Sequence, residues 1–100
     1  LVSGEILTQA SLDQMLNIQT ADETRFGLGI FEYETDFENG YGHTGGGIGT
    51  MTYAVYFPES QIAFSVCCNL GTVFSSDNTK MFYEDLYQEL IHVIFTGERL

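Results

Sequence analysis

The sequence predicts an α+β domain: an antiparallel sheet of about three strands with a short N-terminal helix and a long C-terminal helix. Two observations carry this. Apolar residues recur at helical spacing near both ends of the chain, and they alternate with a period of two across its middle, where acidic or polar turn segments separate the runs. At 100 residues the chain reads as one domain, residues 1–100, able to bury about two-thirds of its unfolded surface.

The first element is a short amphipathic helix with Thr8 as its N-cap. Leu7 and Leu12 are spaced for a hydrophobic staple, and Leu12, Met15 and Leu16 form the apolar side. A polar stretch from Asn17 to Arg25 follows as a connection. Phe26 to Tyr33 then reads as a strand in which Gly27 and Gly29 share one face, a face expected to lie close to another backbone or a bulky neighbour. Glu34 to Gly40 is an acidic turn region.

Residues 50–70 form a hairpin with Pro58-Glu59-Ser60-Gln61 as its connection. Setting Phe57 opposite Ile62 pairs Val55 with Phe64, Tyr53 with Val66 and Met51 with Cys68, which makes one face continuously apolar. The other face, with Thr52, Ala54, Tyr56, Ala63, Ser65 and Cys67, is small and semi-polar and calls for a cover of its own. Gly71 to Asn78 is a loop, with Ser76, Asp77 or Asn78 as cap of a last helix over about Thr79 to Phe95. Phe82, Leu86, Leu90 and Ile94 run along one line of that helix, and Gly97 stops it.

Composition removes several classes of function. A net charge of −11, from 14 acidic against 3 basic residues, repels phosphate backbones and anionic lipid surfaces, so nucleic acid is excluded as a partner. No acidic spacing resembles a calcium loop. Cys67 and Cys68 are adjacent in a strand, so their side chains point to opposite faces and are poorly placed to bridge each other; they read as small buried apolar residues. No run is long enough for a membrane span, and the first residues carry no signal-peptide pattern; the chain begins in mid-pattern, as a piece of something longer would.

The run Tyr41-Gly42-His43-Thr44-Gly45-Gly46-Gly47-Ile48-Gly49 is the most informative feature. Glycines at this density cost entropy, and they are accepted where something must approach the backbone closely. An imidazole, a hydroxyl and bare peptide N–H donors converge there, a grouping suited to acyl transfer. Competing motifs are weaker. Gly40-x-Gly42-x-x-Gly45 matches a dinucleotide fingerprint, but a strand rather than a helix follows it, leaving no helix N-terminus for a pyrophosphate. Ser76-Asp77-Asn78 spells an element of class A β-lactamases in the wrong order along the chain and reads as a helix cap. His43 and His92 fit no metal-ligand spacing, so no metal and no cofactor are implied.

The helix, Phe26-Gly27-Leu28-Gly29-Ile30, Tyr41 to Gly46, Phe57-Pro58-Glu59 and Cys68-Asn69-Leu70, taken in order, resemble the C-terminal part of the class C β-lactamase and penicillin-binding serine hydrolase family over roughly residues 1–94. The resemblance implies a β-lactamase-like (transpeptidase-like) fold of which this chain is the C-terminal portion of the α/β domain. His43-Thr44-Gly45 matches the family's Lys-Thr-Gly or His-x-Gly element on a strand beside the active site. Gly46 would supply one oxyanion-hole N–H, His43 would act with it in catalysis, and Thr44, Gly45 and Gly47 would border the substrate.

The family's Ser-x-x-Lys nucleophile and Tyr-x-Asn element do not occur in these residues. Without the serine there is no acyl-enzyme, so the chain alone is expected to be silent. The implied parent is a hydrolase of amide or ester bonds (a β-lactam, a D-Ala peptide or an ester), exported to the periplasm or cell envelope. The implied partners are the remainder of that chain and its acyl substrate. A binding module on the same scaffold that performs no chemistry is the alternative. Unpaired strand edges and an exposed sheet surface would favour a homo-oligomer.

Overall fold

The computed structural model describes residues 1–71 and 77–98, and the side chains of residues 77–83 lie outside the description. Its elements are α1 (Gln9–Met15), β1 (Gln19–Ala21), β2 (Thr24–Phe26), β3 (Phe31–Tyr33), β4 (Gly40–Gly46), β5 (Met51–Phe57), β6 (Ile62–Cys68) and α2 (Asp77–Thr96). Among the described residues the strands form one six-stranded sheet in the order β1-β2-β3-β4-β5-β6. The α+β class and both helices therefore stand. The expectation of about three strands does not.

The three additional strands come from three places. The polar stretch taken as a connection is a hairpin: Gln19, Thr20 and Ala21 pair antiparallel with Phe26, Arg25 and Thr24. Its two-residue turn is Asp22-Glu23, with φ of 48° and 66°, the double left-handed geometry that matches strand twist. The single strand expected over residues 26–33 is broken in two. Gly27 donates its N–H to Ile30 O at 2.7 Å, Gly29 takes φ +69°, and pairing resumes only at Phe31. The glycine-rich run is also a strand in its own right rather than only the approach to one.

The two glycines of residues 27–29 differ in kind. A Cβ on Gly27 would stand 2.0 Å from Met15 O, so this residue meets another backbone as expected. A Cβ on Gly29 would meet nothing within 4 Å among the described residues, and its positive φ, not close packing, is what suits glycine there. Leu28 N–H donates to the same Met15 carbonyl at 3.0 Å, satisfying one of the acceptors that the end of α1 leaves free. At the other end of α1, Thr8 is the N-cap, its Oγ1 accepting from Ser11 N–H at 3.2 Å, and Leu12 is the buried residue of the helix.

Contacts divide the chain into two compact units, residues 1–45 with 52–67, and residues 46–51 with 68–100. In the first, Phe57 is fully buried (0% exposed), and Val55, Ile30 and Leu12 are buried as well. The rings of Phe57 and Phe64 stack with centroids 6.2 Å apart. The hairpin connection Pro58–Gln61 and the alternation of the flanking strands fall where expected. Met51, Tyr53, Val55 and Phe57 are at least half-buried, while Thr52, Ala54, Ala63, Ser65 and Cys67 are exposed. Cys67 and the half-buried Cys68 are both free.

In the second unit, α2 buries Tyr87 and Ile91. Its exposed side carries Glu84, Asp85 and Gln88. Its end is capped as the glycine predicts: Gly97, at φ +72°, donates to Val93 O at 2.8 Å. The loop expected over residues 71–78, Ser76 as a cap and Phe82 in the apolar line lie wholly or partly outside the described residues.

Candidate functional site

Strand β4 carries the residues singled out by sequence, and its surroundings explain why it is rich in glycine. A Cβ on Gly40 would fall 2.6 Å from Val55 Cγ1, and one on Gly42 would fall 1.9 Å from Ala54 O. Those two glycines let β4 press against β5. Gly45 is less constrained, its missing Cβ facing Thr52 Oγ1 at 3.2 Å, and Thr52 donates that hydroxyl to Gly45 O at 3.4 Å. Beyond the strand, a Cβ on Gly47 or Gly49 would meet nothing within 4 Å among the described residues. The first glycines of the run thus serve packing, and at the later ones a side chain would meet none of the described residues.

The register leaves β4 longer than its neighbour. Phe31, Glu32 and Tyr33 pair with Gly42, Tyr41 and Gly40, and β3 is only these three residues. Residues His43–Gly46 therefore continue past the end of β3 with no β3 residue opposite. His43, Gly45 and Gly46 are exposed there and Thr44 is half-buried. After Gly46 the chain turns through residues 47–50, with Gly47 N–H donating to Thr50 O at 3.0 Å. Gly71 backs this turn so closely that a Cβ on it would lie 2.0 Å from Ile48 O.

His43 is held on two sides. Its ring stacks on Phe31, with centroids 4.4 Å apart and planes inclined by 22°, and its Nδ1 is in hydrogen-bond contact with Thr44 O. The Thr44 side chain lies near the Tyr33 phenol. Burial raises the pKa of Tyr33 above its ordinary value, the Thr44 hydrogen bond opposes that rise, and the neighbouring Tyr53 adds to it. Imidazole, hydroxyl and exposed peptide groups are thus gathered over a short length of one strand. Chemically, that arrangement can accept and donate hydrogen bonds to an extended ligand.

Two polar groupings were not anticipated from sequence. Glu32, its side chain 6% exposed, accepts from Arg25 Nε at 2.6 Å, Asn39 Nδ2 at 3.1 Å and Tyr41 Oη at 3.2 Å. Burial raises the Tyr41 phenol, and the charge and hydrogen bond of Glu32 raise it further, while Arg25 pulls the other way. The hydrogen bond to Glu32 is the largest influence in raising the Arg25 guanidinium. The two-residue spacing of Glu32, in β3, and Glu34, just after it, with Arg25 upstream, was the available signal. The second grouping is Glu38, a buried carboxylate that binds the β5–β6 turn.

A concavity of about 480 Å³ lies on the small-residue side of the sheet, lined among others by Tyr41, Gly42, Ala54, Tyr56, Ala63 and Ser65. Residues 43–47 are not part of its lining. Among the described residues no group of three or more His, Cys, Asp or Glu side chains is placed to hold a metal ion. No protein-family model, no curated protein and no solved structure matches this chain.

Proposed function

We propose that the chain is the C-terminal part of a β-lactamase-like serine hydrolase that cleaves an amide or ester bond through an acyl-enzyme, the attacking serine being supplied by polypeptide outside these residues. The observation that carries this reading is the overhang of His43–Gly46 beyond β3, which leaves a glycine-rich strand edge open beside an imidazole and a hydroxyl. Gly47 directs its N–H across the turn to Thr50, so the alternation of a strand turns the Gly46 N–H away from β5 and outward. In this reading Gly46 N–H stabilises the oxyanion that forms as the carbonyl is attacked. His43 and Thr44 orient the substrate or its leaving group, and Gly45 and Gly47 leave room for its backbone. The substrate is a β-lactam, a D-Ala peptide or a simple ester.

The test is covalent labelling of the full-length protein with a fluorescent penicillin and with an activated phosphonate ester, followed by turnover of a β-lactam, peptide and ester panel. Labelling at a serine upstream of Leu1, in a Ser-x-x-Lys context, with turnover that falls in His43→Ala and Thr44→Val, supports the reading. No labelling, no such serine, and unchanged turnover or ligand binding in both variants overturn it. Binding without labelling would instead favour a module that recognises the same ligands and performs no chemistry.

A further inference from the structure

The contacts of His43 say more about that site than its exposure does. An exposed histidine side chain ordinarily samples several rotamers and both neutral tautomers. Here the ring lies against Phe31 of the adjacent strand, and its Nδ1 meets the carbonyl oxygen of Thr44 on its own strand. A carbonyl can only accept a hydrogen bond, so Nδ1 must be the nitrogen that bears the hydrogen. The neutral ring then carries its lone pair on Nε2. Phe31 is the first residue of β3 and pairs with Gly42, so the sheet fixes its backbone one residue from His43, and the ring contact is made from there.

We infer that Phe31 is a positioning residue that holds His43 as the Nδ1–H tautomer and so presents Nε2 as a hydrogen-bond acceptor beside the open edge of β4. This deepens, and for its ligand class rests on, the hydrolase reading above. A neutral Nε2 accepts from an amide N–H or hydroxyl of the substrate, whereas a carboxylate there would meet a lone pair. The substrate class favoured at this position is therefore one that donates, a peptide amide or hydroxy ester.

The test is imidazole nitrogen-proton correlation NMR on the uniformly labelled chain at a pH where the ring is neutral. The second histidine, His92, is assigned by His92→Gln. The expected wild-type result is a protonated Nδ1, an unprotonated Nε2 and upfield ring-current displacement of the His43 carbon-bound protons. Phe31→Leu should lose that displacement and mix the tautomers, and Phe31→Tyr, which keeps an aromatic face, should preserve both features. A wild-type ring protonated on Nε2, absence of the ring-current displacement, or a folded Phe31→Leu that changes neither feature overturns the inference. Should Phe31→Leu fail to fold, the wild-type spectrum and Phe31→Tyr decide. These spectra require no catalysis, so they fail or succeed separately from the labelling experiment.

Discussion

Glu38 Oε1 accepts the backbone N–H of Ser60 at 3.0 Å, from a residue 22 positions further along the chain. Its other oxygen, Oε2, accepts from Glu59 N–H at 2.9 Å. One carboxylate, only 8% exposed, thereby closes the turn between β5 and β6. It is aimed by Thr35, whose Oγ1 accepts from Phe37 and Glu38 N–H and donates to Glu38 O at 2.7 Å. Hydrogen bonds to a charged acceptor are worth more than neutral ones, so Glu38→Ala should cost about 2 kcal/mol. Glu38→Gln should cost less, since one amide oxygen still accepts. Urea unfolding with an unchanged slope is the measurement; an alanine variant as stable as the wild type would refute the role.

Gly42 and Gly49 make a paired test of the glycine run. Alanine at Gly42 drives a methyl group into Ala54 O and the Val55 backbone and should destabilise by about 3 kcal/mol or more. Alanine at Gly49, which meets nothing within 4 Å, should stay within about 0.5 kcal/mol of the wild type. Equal thermal midpoints for the two variants would contradict the packing described.

The phenols of Tyr33 and Tyr41 set an alkaline limit. Both are raised above the ordinary 10.0, chiefly by burial. The folded chain therefore keeps protons that the unfolded chain has begun to release. Their contribution is fully present below about pH 10 and is lost as pH rises through the folded values. The urea midpoint should hold steady up to that point and fall above it, and Tyr41→Phe should flatten the fall. A midpoint that rises with pH in this range would reverse the sign argued here.

At the tip of the first hairpin, Glu23 occupies φ +66°. A side chain there costs about 1–2 kcal/mol, against about 0.5–1 kcal/mol of extra chain entropy for glycine. Glu23→Gly should thus stabilise by roughly 0.5–1 kcal/mol, read as a raised thermal midpoint; a lowered one would argue against the turn geometry.

The same tip shows why part of the sheet was illegible in sequence. A two-residue turn of this type is signalled by Asn-Gly or Asp-Gly, and Asp22-Glu23 gives no such signal, so β1 and β2 read as polar connection. Phe26 to Tyr33 was over-read as one strand because Gly27 and Gly29 fit a pleated pattern. Only the turn from Gly27 to Ile30 reveals the break. By contrast, the Thr8 cap, the Pro58–Gln61 connection and the Gly97 stop were legible, since each rests on local backbone chemistry. At the candidate site, His43 and Thr44 stood out as residue types beside glycines. Their partners Phe31 and Tyr33 did not, because the register of β3 against β4 is a tertiary fact.

The clasp at Met15 has an engineering consequence. Its carbonyl takes the Leu28 N–H while Gly27 lies flush against it, so the eleven residues between, Leu16 to Phe26, are closed into a loop at that peptide group, and the base of the loop is held a second time where Phe26 pairs with Phe31 and Arg25 binds Glu32. Extra residues spliced in at Asp22-Glu23 would lengthen only the turn of the hairpin while both anchors at its base stayed put, which makes this tip the natural place to graft a tag or reporter.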